Sequence, residues 1–357
     1  MNSDFSKYIQ SWYLENKRDL PWRNTKNPYK IWLSEIILQQ TQVKQGMPYY
    51  KNFIKSFPDV YSLAKAKEDK IMKMWQGLGY YSRARNLHYT AKTIVEDYDG
   101  EFPNTYKELL KLKGIGEYTA AAIASFAYDE PVAVLDGNVF RVLARYFGIE
   151  NPINSTEGKK LFKEKAYEVL DQNQPALHNQ AMMEFGALQC KPKSPNCMFC
   201  SLNDSCVAFQ QNKIKDLPVK LKTLKRTKRY FHYLVFKSSE GEMLINQRLV
   251  KDIWEKLFEF PRADTTAKFR KDDVFNHPLF VSLGLDESID IQRINSKTSK
   301  HVLTHQDVFA DFWLVNCAVK FDKNIPDNFY VVNTKSIRKF AVPILIDKFL
   351  NEHLLKQ

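Results

Sequence analysis

Four of the five cysteines lie within seventeen positions, close enough in sequence for the fold to bring their sulfur atoms together. They are Cys190, Cys197, Cys200 and Cys206. So dense a group is typical of a metal site. One short Cys-x-x-Cys knuckle flanked by longer arms favours a 4Fe-4S cluster, and zinc, which usually has two such knuckles, is the alternative. Four unrelated buried thiols are a further alternative, and the distant Cys317 is expected to be an ordinary core thiol.

The cysteines also bear on the compartment of the protein. Disulfides would require an oxidising compartment, but residues 1–10 are polar and lack the apolar centre of a secretory signal. No apolar run approaches the length that spans a membrane. We therefore expect a reduced, cytoplasmic protein without a membrane partner.

Length and charge allow two domains and favour a polyanionic partner. With 357 residues, of which 44% are hydrophobic, the chain can form two separate cores. A net charge of +12 favours nucleic acid, and an aromatic content of 13% provides rings that can stack on bases. An aromatic core beneath a basic surface is the alternative.

The texture of the sequence changes once. Residues 1–212 show apolar positions at helical spacing, and eight of the seventeen residues in 213–229 are Lys or Arg, which predicts an exposed basic linker. Residues 230–357 contain short alternating runs, typical of a smaller α+β domain. The predicted elements of that domain are strands over Tyr230–Phe236, Met243–Gln247 and Phe309–Val319 and a helix over Ser336–Leu350.

Glu35 is the first candidate for chemistry. It lies in a predicted helix over Tyr29–Gln40, with apolar residues one turn before and one turn after it. Poor solvation raises the pKa of a carboxylic acid, which suits a proton donor near neutral pH. The alternative is a buried ion pair with Arg18 or Arg23.

Residues 112–120 predict a helix-hairpin-helix. Gly114 and Gly116 lie in the turn between predicted helices over Asn104–Leu110 and Thr119–Ala127. Exposed amides at the start of the second helix can hold a DNA phosphate without reading sequence. A plain interhelical turn with a glycine cap is the alternative.

Asp136 precedes another predicted helix, which also contains Arg141 and Arg145. A carboxylate there can act in chemistry, or it can serve only as a helix N-cap.

The segment Gln76–Leu87 combines flexible glycines, an apolar wedge, two adjacent tyrosines and arginines. Leu78 and Tyr80 could fill the gap that an extruded base leaves in a duplex while the arginines hold phosphate. Alternatively, both side chains pack beneath the loop.

Together these motifs resemble the MutY-type adenine DNA glycosylases, and the resemblance covers nearly the whole chain. The segments that carry it are Leu20-Pro21-Trp22-Arg23, Ser34-Glu35 with Gln40-Thr41-Gln42-Val43, residues 77–83, the Gly114/Gly116 turn, Leu135-Asp136-Gly137-Asn138-Val139 and the cysteine quartet. It implies an all-α helix-hairpin-helix glycosylase domain with a 4Fe-4S loop over 190–206, followed by an α+β Nudix-like domain. It also implies removal of adenine mispaired with 8-oxoguanine or guanine after the adenine is flipped out of double-stranded DNA.

The resemblance also implies roles for individual residues. Glu35 would protonate N7 of adenine, and Asp136 would stabilise the oxocarbenium-like sugar. Tyr118 and Asn138 match positions that support the sugar and the two carboxylates. Other matching positions are Trp22, Arg23 and Leu38 for the adenine pocket, Gln40, Thr41, Leu78 and Tyr80 for the lesion pair and its gap, and Gly114 and Gly116 for DNA phosphate.

Tyr118 separates two reaction classes. Relatives that cleave the strand carry there a lysine that forms a Schiff base, which tyrosine cannot do. The sequence therefore predicts a monofunctional glycosylase.

The second domain, 230–357, resembles the Nudix-like domain of the same family. Residues 254–261 match its Trp-Glu-Phe-Pro type element, but the carboxylate array of a Nudix hydrolase is absent from the sequence, so we expect binding rather than catalysis. The family's Phe-Ser-His loop reads Leu303-Thr304-His305 here. Thr304 keeps the hydroxyl that could hydrogen-bond to the oxidised base, but the aromatic residue of the family's loop is lost, which puts its packing role in doubt. His305 matches the histidine of that loop, and the alternative is a solvent-facing histidine without a role in recognition.

Two rival functions stay open at this point. One is an endonuclease III-like lyase for oxidised pyrimidines, which Tyr118, Glu35 and the second domain oppose. The other is a non-catalytic iron-sulfur protein that only binds DNA. For the adenine DNA glycosylase that the resemblance implies, we expect a DNA-associated monomer, with other repair proteins as further candidate partners.

Overall fold

The computed structural model describes residues 2–221, 226–265, 269–317, 320–321 and 325–354. The chain forms two compact units. The helical unit comprises Met1–Lys65 and Asn86–Lys222, and the sheet unit comprises Ala66–Arg85 and Thr223–Gln357. The sequence predicted an uninterrupted first domain over 1–212, whereas Ala66–Arg85 packs with the C-terminal residues. None of the described helices is both long and apolar enough to cross a membrane.

The described α-helices confirm the helical character expected for the first half of the chain. The hairpin helices predicted over Asn104–Leu110 and Thr119–Ala127 are observed as α7, Tyr106–Leu109, and α8, Glu117–Tyr128. The helices are α1 Asn2–Asn16, α2 Pro28–Leu38, α3 Val43–Ser56, α4 Val60–Ala64, α5 Glu68–Trp75, α6 Ser82–Asp97, α7 Tyr106–Leu109, α8 Glu117–Tyr128, α9 Gly137–Phe147, α10 Thr156–Val169, α11 Pro175–Leu188, α12 Val207–Gln210, α13 Pro278–Ser282 and α14 Ile344–Phe349.

One core of the helical unit lies among α1, α9, α10 and α11, with Phe5, Leu143, Phe162 and Phe185 almost fully buried. α9 sets the geometry of the site because both its ends are capped. Asp136 accepts amide hydrogen bonds at its start, and Gly148 ends it at φ 67°. A Cβ at Gly148 would lie 2.5 Å from Cγ1 of Val207, so this position requires glycine.

The first part of the predicted basic linker is not an exposed connector. Leu217 is buried in the helical core, with Ile214 and Val219 packed against the same cluster. The Leu217 carbonyl accepts a 3.0 Å hydrogen bond from Nε of Arg145. Apolar residues therefore alternate with the lysines and fasten the segment to the helical unit. Residues 222–225 of the linker lie outside the described residues.

The sheet unit contains one mixed sheet, which has eight strands among the described residues. The strands are β1 Thr227–Lys237, β2 Met243–Gln247, β3 Phe258–Glu259, β4 Arg262–Thr265, β5 Ile291–Arg293, β6 Ser299–Val302, β7 Gln306–Asn316 and β8 Phe329–Val332. The centre of the sheet is the parallel pair of β1 and β7, from Thr227 beside Gln306 to Lys237 beside Asn316. β2, β3 and β8 lie on one side, β5 and β6 pair with β7, and β4 pairs with β1.

The predicted C-terminal helix was wrong as one element. A 3-10 turn over Ser336–Lys339 is separated from α14 by a segment that contains Pro343, and a short π-helical turn over Leu350–Leu354 follows. Proline lacks an amide donor and disfavours helical geometry in the residue before it, so the helix starts only after it. Cys317 is buried in the core of this unit, as an ordinary core thiol should be.

Candidate active site

A cavity of about 590 Å³ opens in the helical unit among α2, α8, α9 and α11. All four predicted catalytic residues line it, namely Glu35, Tyr118, Asp136 and Asn138. Four of the predicted substrate residues also line it, namely Trp22, Arg23, Leu38 and Thr41. Residues far apart in sequence are therefore brought to one cavity with room for a nucleobase.

Glu35 lies inside this cavity on α2, and only 5% of its surface is exposed. Asn27 caps the start of this helix, because its side chain accepts the Lys30 amide, and almost every residue from Tyr29 to Ile37 is buried. Burial raises the pKa of Glu35 to about 7. Two smaller effects lower this pKa, namely a hydrogen bond from the Tyr118 hydroxyl and the positive charge of Arg23. Glu35 is thus poised to give up a proton near neutral pH.

The alternative ion pair for Glu35 does not form, because Arg18 and Arg23 bind another carboxylate. That group is Glu184 on α11, whose side chain is completely buried. Arg18 donates from Nε and Nη2 to its two oxygens at 2.7 Å, and Nη1 of Arg23 lies 2.8 Å from Oε2. Glu184 was not among the predicted site residues, although an acid within the apolar run Ala-Met-Met-Glu-Phe carries the same signal as Glu35.

Asp136 is both an N-cap and a cavity residue. Its Oδ1 accepts the amides of Asn138 at 2.8 Å and Val139 at 2.7 Å, and its Oδ2 accepts Nδ2 of Asn138 at 2.6 Å. Burial raises the pKa of Asp136, and these three hydrogen bonds oppose that shift because they favour the ionised form. The cap interpretation is correct but incomplete, since the capping carboxylate also faces the cavity.

Arg141 connects Asp136 to the cysteine segment. Its Nη2 donates to Oδ1 of Asn138 at 2.9 Å, and its Nε donates to the Cys190 carbonyl at 2.8 Å. A continuous set of hydrogen bonds therefore runs from the first cysteine to the carboxylate that caps α9.

The four cysteines are gathered as predicted. Cys190, Cys197, Cys200 and Cys206 all line one small cavity with Leu202, Phe209 and other apolar neighbours. Among the residues that the structure describes, no three His, Cys, Asp or Glu side chains come together as a single metal ion would require. The four cysteines that line this one apolar cavity are thus the residues in the loop that could hold a metal group.

The hairpin glycines differ in what surrounds them. Gly114 has φ +79°, and a Cβ there would lie 2.7 Å from Cβ of Asn86. Gly116 is the N-cap of α8 in extended geometry, and a Cβ there would meet nothing within 4 Å. The first glycine is required by the fold, whereas the second leaves open space in front of the amides that start α8.

The remaining predicted residues lie outside the cavity. Leu78 is buried in the sheet unit, as the packing alternative expected, whereas 52% of the surface of Tyr80 in the same unit is exposed. Thr304 and His305 are exposed in the turn between β6 and β7. Gln40 is exposed at φ 57° and does not line the cavity.

The family models agree with both halves of this description. Residues 33–168 match the model of the HhH-GPD superfamily base excision DNA repair protein, and residues 232–352 match that of the NUDIX domain. The solved structure of a thermostable thymine-DNA glycosylase superimposes with a TM-score of 0.55 at 29% identity, covering 59% of this chain and 97% of that chain. Fold and site together thus define the class: a base-excision DNA glycosylase with a Nudix-like domain, which confirms the predicted fold class.

The relatives narrow the class further. An adenine DNA glycosylase of Buchnera aphidicola subsp. Baizongia pistaciae (strain Bp) is 35% identical over 98% of this chain and 98% of its own length. One from Buchnera aphidicola subsp. Schizaphis graminum (strain Sg) is 39% identical over 74% of this chain and 76% of its own. The chain belongs to the adenine DNA glycosylase family, and the resemblance found in the sequence is confirmed.

Proposed function

We propose that this enzyme removes adenine mispaired with 8-oxoguanine, or with guanine, by hydrolysing its N-glycosidic bond. The observation that carries the proposal is Glu35, a buried acid with a pKa near 7 in a cavity that Asp136 also lines. The glycosidic bond is inaccessible inside the base stack, so the adenine must leave the duplex to enter this cavity.

The two carboxylates divide the chemistry between them. Protonated Glu35 gives its proton to N7 of adenine as the bond to the sugar breaks, and the bonding electron pair leaves with the base. The sugar then carries positive charge, which ionised Asp136 stabilises until water adds. The hydrogen bonds that Asp136 accepts from Asn138 and Val139 favour the ionised form that this role requires.

Neighbouring side chains hold the two carboxylates and the base. Tyr118 donates to Glu35, and Asn138 donates to Asp136 while its own oxygen is held by Arg141. We assign Trp22 and Leu38 to the apolar wall of the adenine site and Arg23, held by Glu184, to its polar edge.

The pH dependence of adenine release should report the environment of Glu35. Because the acid must be protonated, release should decline as pH rises through about 7. The hydrogen bond from Tyr118 lowers the pKa of Glu35, so Tyr118→Phe should move the decline to higher pH. Single-turnover rates between pH 5 and 9, on wild type and variant, measure this shift. A decline at unchanged pH in Tyr118→Phe would contradict the assignment of Glu35 as the titrating acid.

Lesion recognition is assigned to exposed residues near the opposite base. We propose that Thr304 and His305 contact the oxidised guanine and that Tyr80 fills the gap in the stack. We also propose that Gln40 and Thr41 approach the pair from the turn after α2. The exposure of Tyr80, Thr304, His305 and Gln40 supports these roles. The buried Leu78 supports the loop from beneath.

We propose that the four cysteines hold a 4Fe-4S cluster. Bound there, it would supply four iron–sulfur bonds that fix the loop 190–206. Arg145 already joins that loop to α9, donating from Nη1 to the Lys191 carbonyl at 2.7 Å and from Nη2 to the Pro192 carbonyl at 3.2 Å. The loop carries Lys191 and Lys193, both exposed and suited to DNA phosphate.

We also propose that Gly114 and Gly116 hold a DNA phosphate, and two alanine substitutions separate folding from binding. Gly114→Ala should lower stability by about 1–2 kcal/mol, because alanine is strained at this φ and collides with Asn86. Gly116→Ala should lower stability less, by about 0.5–1 kcal/mol because alanine is a poorer N-cap than glycine, yet weaken DNA binding, because its Cβ fills open space before the amides of α8. Thermal melting and duplex titration measure the two effects. Unchanged affinity in Gly116→Ala would leave only a structural turn.

The proposed function is tested by single-turnover base release from duplexes with adenine opposite 8-oxoguanine, guanine or thymine. Rapid release opposite 8-oxoguanine and slow release opposite thymine are expected. Borohydride in parallel incubations should trap no efficient covalent complex, because Tyr118 supplies no amine for an imine. Efficient trapping would indicate a lyase, and a folded protein that binds DNA but releases no adenine would indicate a binding module.

A further inference from the structure

We propose that Gln76, just before the loop 77–81, and Arg85, in the first turn of α6 that follows it, are positioning residues. They fix both ends of this loop to the C-terminal part of the sheet unit and so hold Tyr80 for lesion recognition. The inference rests on the proposed function, because it assigns two side chains that control the discrimination of the base opposite adenine. Neither residue lines the cavity of the helical unit that contains Glu35.

The loop lies within the glycosylase family match along the sequence, but in the structure it packs as part of the sheet unit. Residues 66–85 lie inside the span 33–168 that matches the glycosylase family model. In the structure the same residues form one compact unit with Thr223–Gln357. The side chain proposed to enter the base stack and the loop proposed to read the lesion are therefore carried by one unit.

The first anchor is at the end of α5. Nε2 of Gln76 donates to Oδ1 of Asp347 on α14 at 3.0 Å, and its Oε1 accepts the Val342 amide at 3.4 Å. One turn earlier, Lys73 donates from Nζ to the Phe340 carbonyl at 3.0 Å and to Oε1 of Gln76 at 2.8 Å. The residue that precedes the loop is thus held to the segment that leads into α14.

The second anchor is at the start of α6. Arg85 donates from Nη1 to the backbone carbonyl of Glu255 and from Nη2 to its carboxylate, both at 2.8 Å. The two side chains are only 20% and 22% exposed, so water screens this pair less than a surface pair. Glu255 lies between Trp254 and Lys256, which both have positive φ, in a turn that presents its carbonyl and carboxylate together.

Between the anchors, the loop reaches the lesion-reading turn directly. The Tyr80 hydroxyl lies 2.7 Å from Oγ1 of Thr304. Gly77, Gly79 and Tyr80 all have positive φ, and tyrosine adopts that geometry only when its surroundings impose it. The Gly79 carbonyl accepts Nε1 of Trp75 at 3.1 Å and Nη2 of Arg83 at 3.2 Å. Tyr80 is therefore kept by contacts of the whole unit in a conformation that the loop alone would not favour.

The physical consequence is preorganisation. If either anchor is lost, the loop gains alternative backbone conformations, and ordering it on DNA opposes binding of the lesion pair. Adenine release opposite 8-oxoguanine should then fall, while release opposite thymine, which gains little from lesion recognition, should change less.

A charge exchange tests the second anchor. Arg85→Glu and Glu255→Arg should each lower the ratio of release rates opposite 8-oxoguanine and thymine by about tenfold, the effect of losing one charge-assisted hydrogen-bonded pair. Combining the two substitutions should recover part of the ratio, because the exchange restores the ion pair, although a glutamate at position 85 cannot donate to the backbone carbonyl of residue 255. Arg293→Gln, which breaks the pair of Arg293 with Asp311 in the same unit, is the matched control and should leave the ratio unchanged. In parallel, 2-aminopurine placed beside the mispair reports stacking directly.

The outcomes are distinct. Wild-type ratios and stacking signals in both single variants, or losses that simply add in the double variant, would overturn the proposal. If either exchange lowers thermal stability, Arg85→Lys keeps the charge but loses the two-point geometry, and a reduced ratio at unchanged melting temperature would still support positioning. A wild-type enzyme that releases no adenine would refute the proposed function, whereas the stacking signal would still show whether the anchors control the loop.

Discussion

Replacing Glu35 with glutamine is expected to slow adenine release by about a thousandfold, the range typical of losing a general acid. Glutamine has the same size and can still accept the hydrogen bond from the Tyr118 hydroxyl, so the local fold should persist. It cannot give a proton to N7 of adenine. The pKa of Glu35, about 7, means that a large fraction of the wild-type enzyme carries this proton at neutral pH, and the variant loses all of it.

Single-turnover release on a duplex with adenine opposite 8-oxoguanine measures the loss, and titration of the same duplex should show unchanged affinity. Glu150→Gln is a suitable control, because Glu150 is an exposed acid of the same unit that pairs only with Lys213 among the contacts found in the described residues. Near wild-type release by Glu35→Gln would mean that the proton comes from another group. Loss of DNA binding together with release would point to a folding defect instead.

Replacing Asp136 with asparagine is expected to slow release by about a hundredfold without a comparable loss of stability. Asparagine and aspartate are similar helix N-caps, so the amides of Asn138 and Val139 keep an acceptor. The variant removes the negative charge that stabilises the developing positive charge on the sugar, and it replaces the oxygen that accepts from Nδ2 of Asn138 with an amide nitrogen that cannot accept. Asp136→Ala should lose both functions, with a further cost of about 1 kcal/mol in the free energy of unfolding.

The pair of variants separates the two functions of Asp136. Release rates under single turnover measure the electrostatic effect, and urea unfolding of the helical unit measures the cap. If Asp136→Asn retained the wild-type rate while Asp136→Ala lost stability, Asp136 would be a helix cap alone.

Local features of the fold were predictable because neighbouring residues determine them. β2 runs from Met243 to Gln247 as the alternating pattern predicted, and Asp136 caps α9 because the carboxylate is one residue from the first helical turn. The prediction of one C-terminal helix was wrong because it followed the apolar periodicity and neglected Pro343, which separates the 3-10 turn from α14.

The members of the site were predictable as residue types, but their partners were not. Both Arg18 and Arg23 were near Glu35 in sequence, yet they pair with Glu184, 166 residues after Arg18. Glu35 instead accepts a hydrogen bond from the hydroxyl of Tyr118, 83 residues away in sequence. The acid that pairs with the two arginines, Glu184, is stabilised in its ionised form, whereas Glu35 has a raised pKa. The local sequence around each acid does not predict which of them forms the ion pairs.

The helical and mixed-sheet halves, the hairpin turn, the cysteine quartet and the two carboxylates were predictable because they depend on residue type and short spacing. Three other features follow from packing between distant segments. Ala66–Arg85 packs with the sheet unit, Leu78 is buried while Tyr80 is exposed, and Glu35 is desolvated enough to have a pKa near 7. Burial and pairing are sums over neighbours from distant parts of the chain, and those neighbours are defined only once the chain has folded.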